Sequence, residues 1–249
     1  MAFNYFDLKN KLTFIKDVNF RALYHQFLYV ECRDVLEAIA DEDLLPEDTG
    51  LFVYTYIDED AGITYKPLKF AQFSESGLKF RDLSLKFSNC LLRYHHSFLK
   101  QEYHMEDGQY FTIATIPAEN HLFFNLASSD VDLEQFAEIE VDVRNTYDLN
   151  HDPMKEMLRS PKYDYLDAFR NPARPDDVLV VLFRPDVKPE GVWVRCKFEA
   201  DNEIFGTLLT EPKEFRFRPG TTIGFVRYGE GADMLLAATG HTSTQLTQE

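Results

Sequence analysis

From Asp177 onward the chain falls into short apolar and β-branched runs, each closed by a turn signal. They are Val178 to Phe183, Val192 to Phe198, Glu203 to Leu209, Glu214 to Phe217, Thr222 to Arg227 and Asp233 to Ala238. Strands this short and this evenly spaced suit a small antiparallel sheet or a partly closed barrel. Polar residues then dominate, and 241–249 are expected to form a mobile tail.

The N-terminal part reads differently. Phe20, Leu23, Phe27, Leu28, Val35, Leu36 and Ile39 recur at near-helical spacing across residues 18–45, which predicts a helix, with Phe27 to Val30 open to a strand reading. Asp41-Glu42-Asp43, Pro46 and Gly50 close that segment. Leu51 to Ile57 is a strong strand, Asp58-Glu59-Asp60-Ala61-Gly62 a turn, and Ile63 to Phe70 its hairpin partner. Tyr110 to Ile116 and Leu122 to Leu126 are further strands joined through Pro117, and Asp132 to Val141 suits a short helix. Between 145 and 175, Pro153, Pro161, Pro172 and Pro175 punctuate two short helical stretches, Met154 to Leu158 and Tyr163 to Phe169. The expected class is α+β. An acidic mixed α+β lobe spans 1–150, a helical connector 151–176, and a mainly antiparallel β lobe 177–240.

One ordered series stands out in the last third. Glu190-Gly191-Val192-Trp193-Val194-Arg195 is followed by Ile204-Phe205-Gly206-Thr207-Leu208-Leu209, Pro212, Pro219-Gly220 and Ile223-Gly224-Phe225. It resembles the small YegJ-like bacterial domain of unknown function, departing from it at Thr210-Glu211-Pro212, Thr221 and Met234. The resemblance implies a shape and no reaction. On physical grounds Trp193 anchors a sheet, Gly206 permits a bulge or close strand approach, and Gly220 permits a turn.

Charge and composition narrow the function. With 22 Phe and 13 Tyr against one Trp, the core is expected to be β-rich. The net charge is -16, and residues 1–150 carry 13 Lys and Arg against 26 Asp and Glu. That sign opposes nucleic acid and anionic membranes and suits a basic protein partner. Cys32, Cys90 and Cys196 are far apart and odd in number, as free buried thiols in a reducing compartment would be. The N-terminus has no signal-peptide pattern and no run approaches a membrane span, so the expected location is the cytoplasm.

No catalytic motif emerges, and no cofactor is expected. His95, His96 and His104 with Glu102 are the nearest approach to a metal cluster, but adjacent histidines diverge on a strand and on a helix alike. Neither Asp41-Glu42-Asp43 nor Asp58-Glu59-Asp60 has the layout of a calcium loop. Arg216 and Arg218 alternate with Phe215 and Phe217, which on a strand gives a cationic face that solvent ordinarily covers. The expected function is therefore a non-enzymatic protein-binding module, in its concrete form a bacterial immunity protein. Its partner surface would draw on Asp41, Glu42, Asp43, Asp58, Glu59 and Asp60. A hydrolase of an unfamiliar family and a small-ligand sensor on the C-terminal sheet are the alternatives.

Overall fold

The computed structural model describes residues 11–14, 19–31, 33, 36–37, 49–58, 62–74, 77–84, 88, 90–95, 101–106, 109–117, 121–143 and 163–242. The chain divides into two compact units, Met1–Asp148 and Leu149–Glu249.

The first unit is built on one sheet. Its strands are β1 (Thr13–Phe14), β2 (Phe27–Glu31), β3 (Thr49–Asp58), β4 (Gly62–Ser74), β5 (Gly77–Arg81), β6 (Cys90–His95), β7 (Gln101–Glu106), β8 (Gln109–Pro117) and β9 (Leu122–Asn125). They are ordered β1-β9-β2-β3-β4-β6-β8-β7, with β5 on β4. The expected hairpin is present: β3 and β4 pair antiparallel down to Asp58 opposite Gly62, whose φ of 82° suits the turn. The expected strands in 110–126 form too, as β8 and β9. They do not pair with each other, for β8 lies between β6 and β7 while β9 lies between β1 and β2.

This unit corrects the α+β expectation, because it is mostly β. The one α-helix described from end to end is α1 (Ala137–Val143), continuing from a 3-10 turn at Glu134–Phe136. Within the stretch 18–45, expected to be one helix, Phe27–Glu31 forms β2, and the strand reading of Phe27 to Val30 prevails. Among the described residues of that stretch, α-helical backbone is confined to Arg33, Leu36 and Glu37, with a 3-10 turn at Phe20–Ala22. The reason is burial on both faces. β2 lies between β3 and β9, and Leu28, Tyr29 and Val30 are all at most 1% exposed. A strand covered on both sides shows no alternation, so its apolar run merges with neighbouring helical residues into a false 3.6 period.

β3 is buried along its whole length to Ile57. Phe52 sits in an aromatic cluster, with ring centroids 4.5 Å from Phe136, 5.1 Å from Phe80 and 5.7 Å from Phe27. Tyr54 and Tyr56, next along the same face, pack with Val143 of α1. The aromatic-rich composition is spent on this sheet, as β-rich packing requires.

The second unit is a closed barrel of β10 (Asp177–Arg184), β11 (Val187–Ala200), β12 (Glu203–Leu208), β13 (Thr222–Tyr228) and β14 (Leu235–Thr242). Each strand pairs antiparallel with the next. With an odd number of strands the first and last run the same way, and β10 closes on β14 in parallel at Val181 opposite Ala237. Tight turns accept left-handed backbone, at Asp186 (φ 66°) between β10 and β11 and at Asp201 and Asn202 (φ 52° and 64°) between β11 and β12. Val178, Val180, Leu182, Val192, Val194, Ile204, Phe225 and Leu236 fill the interior.

Gly206 behaves as its sequence context predicts. It pairs with Cys196, where the β11 register shifts before Phe198. A side chain there would lie 2.5 Å from the Arg195 carbonyl oxygen. Two expectations are corrected. Glu214 to Phe217 is not a strand, and β14 carries regular structure to Thr242, into the expected tail. The Tyr163 to Phe169 helix is a 3-10 helix at Asp164–Phe169. It is tied down by buried Arg170, whose Nε donates to Asp167 Oδ1 at 2.9 Å and Nη1 to the Pro175 carbonyl at 2.6 Å. Met154 to Leu158 and residues 243–249 lie outside the described residues.

Candidate binding cleft beside the end of β10

A cleft of about 280 Å³ opens in the second unit beside the C-terminal end of β10. Leu182, Phe183 and Arg184 of that strand line one side, Phe215, Arg216 and Phe217 of the β12–β13 loop another, and Ala238 of β14 completes it. Leu182 is 1% exposed and belongs to the barrel core, and Phe215, Phe217 and Ala238 pack against that core. Phe183, in contrast, is 66% exposed.

Local chemistry explains why the loop holds this shape. Pro212 and Pro219 bracket it, and its backbone finds partners other than a neighbouring strand. The Glu190 carboxylate accepts hydrogen bonds from the Lys213 N–H at 2.9 Å and the Glu214 N–H at 3.2 Å. The Leu209 N–H donates to the Trp193 carbonyl at 2.8 Å, and the Gly220 N–H to that of Leu208 at 2.8 Å. Anchored at both ends, the segment keeps the alternation its sequence promised without being a strand. Phe215 and Phe217 are half-buried, whereas Arg216 and Arg218 are exposed.

The rim is cationic. The Arg184 guanidinium lies 5.6 Å from the centroid of the Phe215 ring, a stacked cation–aromatic contact. Among the described residues, Arg184, Arg216 and Arg218 form no ion pair. No lining residue is an acid, a hydroxyl, a thiol or an imidazole. Such a lining offers apolar area for affinity and guanidinium donors that can orient a negative group. It holds nothing to attack a bond or shuttle a proton.

The described thiols and the Tyr163 phenol are placed unfavourably for chemistry. Cys196 is buried and burial pushes its thiol up, away from the thiolate a nucleophile needs. Cys90 is buried as well, and both are free thiols; Cys32 lies outside the described residues. The Tyr163 phenol is pushed up to about 12, first by burial and then by its hydrogen bond to the Glu199 carboxylate. A neutral phenol at such a value is poorly matched to general acid–base work near neutrality.

Because that value stands above the ordinary 10.0, the neutral phenol is the form the fold favours. Stability contributed there is fully present below pH 10 and is lost as pH rises toward about 12. In 13C-tyrosine NMR one phenol, absent from Tyr163→Phe, is expected to titrate near 12 and to fall in Glu199→Gln. A Tyr163 resonance titrating with the bulk tyrosines would contradict this placement.

The histidine cluster is separated by backbone register. His95 on β6 stands opposite Pro117 of β8, whereas His104 on β7 stands opposite Phe111 of the same strand. Six positions along a strand amount to about 20 Å. Glu102 falls opposite Ile113. No single ion spans that gap, and His96 lies outside the described residues. Of the expected acidic surface, Asp58 ends β3 and is partly buried. Asp41, Glu42, Asp43, Glu59 and Asp60 lie outside the described residues.

The arginine–phenylalanine half of the cleft was visible in the sequence as alternation. Phe183 and Arg184 were not, although a signal existed. Val178 to Phe183 is apolar at every position, so its outward face is apolar as well. Comparison of the chain with family models, with curated proteins and with solved structures gives no match. Among the described residues no helix is long and apolar enough to cross a membrane.

Proposed function

We propose that the protein is a non-enzymatic protein-binding module and that the cleft beside β10 is its recognition surface. The observation that supports this most is the pairing of a preformed apolar cleft with arginines that have no acidic counterpart among its lining residues. Exposed aromatic area beside free guanidinium groups is the composition that interface hot spots favour. The exposed Phe183 extends the apolar area beyond the cleft, as a macromolecular contact requires and a small enclosed ligand does not.

A second reading rests on charge alone. With 13 Lys and Arg against 26 Asp and Glu in residues 1–150, an immunity-type acidic surface would speed encounter with a basic partner. Such an encounter would be strongly salt-dependent and would not involve the arginine cleft.

The cleft reading is tested by photo-crosslinking. A benzophenone side chain placed at 183 is expected to trap one discrete protein in the native host. The same group at Val141, 54% exposed in the first unit, is the control. Equal trapping at both positions, or at 141 only, would remove the cleft from the account.

A further inference from the structure

We infer that the partner of this cleft is an extended, acidic protein segment whose apolar side chains lie along the outer face of β10 while its carboxylates meet Arg184 and Arg216. The inference rests on the binding-module reading and names its partner.

The surface outside the cleft carries the inference. Leu179, Val181 and Phe183 alternate with the buried Val178, Val180 and Leu182, so they share the outer face of the barrel. Leu179 and Phe183 are 38% and 66% exposed. From Leu179 to Phe183 this stripe runs about 13 Å. It also has width. Leu179 stands opposite Trp193 of β11, and the backbone of Leu209, 37% exposed, bonds to Trp193 on its far side. Gly191, opposite Val181, adds no side chain there. An apolar track leading into an arginine-rimmed cleft is longer than a small anion can cover.

Charge decides what lies on it. Arg184 and Arg216 line the cleft, with Arg218 next along the loop, and no carboxylate shares the lining. Carboxylates are therefore the complement, each able to take two parallel guanidinium hydrogen bonds. A nucleic-acid strand also offers anions, but its many phosphates would meet a protein of net charge -16. A few carboxylates set among apolar side chains escape that repulsion. β10 is paired with β11 along its length and with β14 at Val181 opposite Ala237, so side chains carry most of the hold on the segment.

The test is a random dodecapeptide phage library selected on the full chain, with the enriched peptides then synthesised and titrated. Enriched peptides are expected to combine Asp or Glu with aromatic or aliphatic residues. Their affinity is expected to fall tenfold or more in Arg184→Glu/Arg216→Glu and about fivefold in Leu179→Ser. Arg227→Glu, an exposed arginine outside the cleft, is expected to change it less than twofold. Enrichment of basic peptides, or of acidic ones indifferent to the cleft substitutions, would overturn the inference while leaving a binding module. Enrichment of sequences from this chain itself would assign the surface to a second copy and overturn it too. If no peptide is enriched but 2-naphthoate shifts the Phe215 and Phe217 resonances, the ligand is a small aromatic acid, and both this inference and the protein-binding reading fall.

Discussion

Replacing Gly206 by alanine is expected to destabilise the barrel unit by about 3 kcal/mol, the upper end of what an overpacked core position costs. The added methyl would lie 2.5 Å from the Arg195 carbonyl oxygen, 2.6 Å from Val194 Cγ1 and 3.0 Å from the Arg195 carbonyl carbon. Two of those atoms are backbone of the adjacent strand, held by ladder pairs on either side of the bulge between Cys196 and Phe198. In a closed barrel β11 cannot withdraw without opening its seam with β10. Gly191→Ala is the matched control. Its new methyl would meet only the side chain of Leu179, at 3.3 Å, on an exposed surface. A change within about 0.5 kcal/mol is expected there. The chain's single tryptophan, Trp193, lies on β11, so its fluorescence during urea unfolding reports this unit directly. Equal effects of the two substitutions would mean that the approach of β12 to β11 is looser than described.

Phe52→Ala is the corresponding expectation for the first unit. Phe52 is fully buried and touches three aromatic rings drawn from β2, β5 and the turn before α1. Removing it costs the transfer free energy of the ring plus the cavity left behind, together about 3–5 kcal/mol. Hydrogen exchange of the β3 amides reads the loss, because β3 is central and its amides open only when the sheet does. Protection unchanged in Phe52→Ala would show that the aromatic cluster is not what holds the sheet together.

How much of this was legible in the sequence depends on what each residue faces. The barrel strands were legible because each is a short apolar or β-branched run closed by a turn signal, whereas Glu214 to Phe217, with its alternating Phe and Arg, is a loop. Gly206 was legible for a related reason, since glycine inside a strand has few uses other than close approach. The sheet of the first unit was legible in part: the β3–β4 hairpin and strands β8 and β9 were read from their apolar, β-branched and aromatic runs and the turns beside them. Leu28 to Val30 are buried on both faces, so period carries no information there, and the β2 run was absorbed into a helix. The β6–β8–β7 arrangement includes a parallel pair, a long-range choice that local spacing does not encode.

The cleft was half legible. Alternation marked Phe215, Arg216, Phe217 and Arg218, but their apposition to Phe183 and Arg184 is a contact across some thirty residues of chain. Solvent exposure of Arg216 and Arg218 was the expected outcome and is also what the structure shows. What changes their meaning is the apolar cleft and the third arginine beside them.

Whether those arginines hold a protein partner is tested most directly by one comparison. The full chain and its Arg184→Glu/Arg216→Glu form are expressed in the native host and purified side by side at moderate salt. A stoichiometric protein present with the first and lost from the second is the expected result. The same protein retained by both, or none with either, would contradict the cleft as the recognition surface.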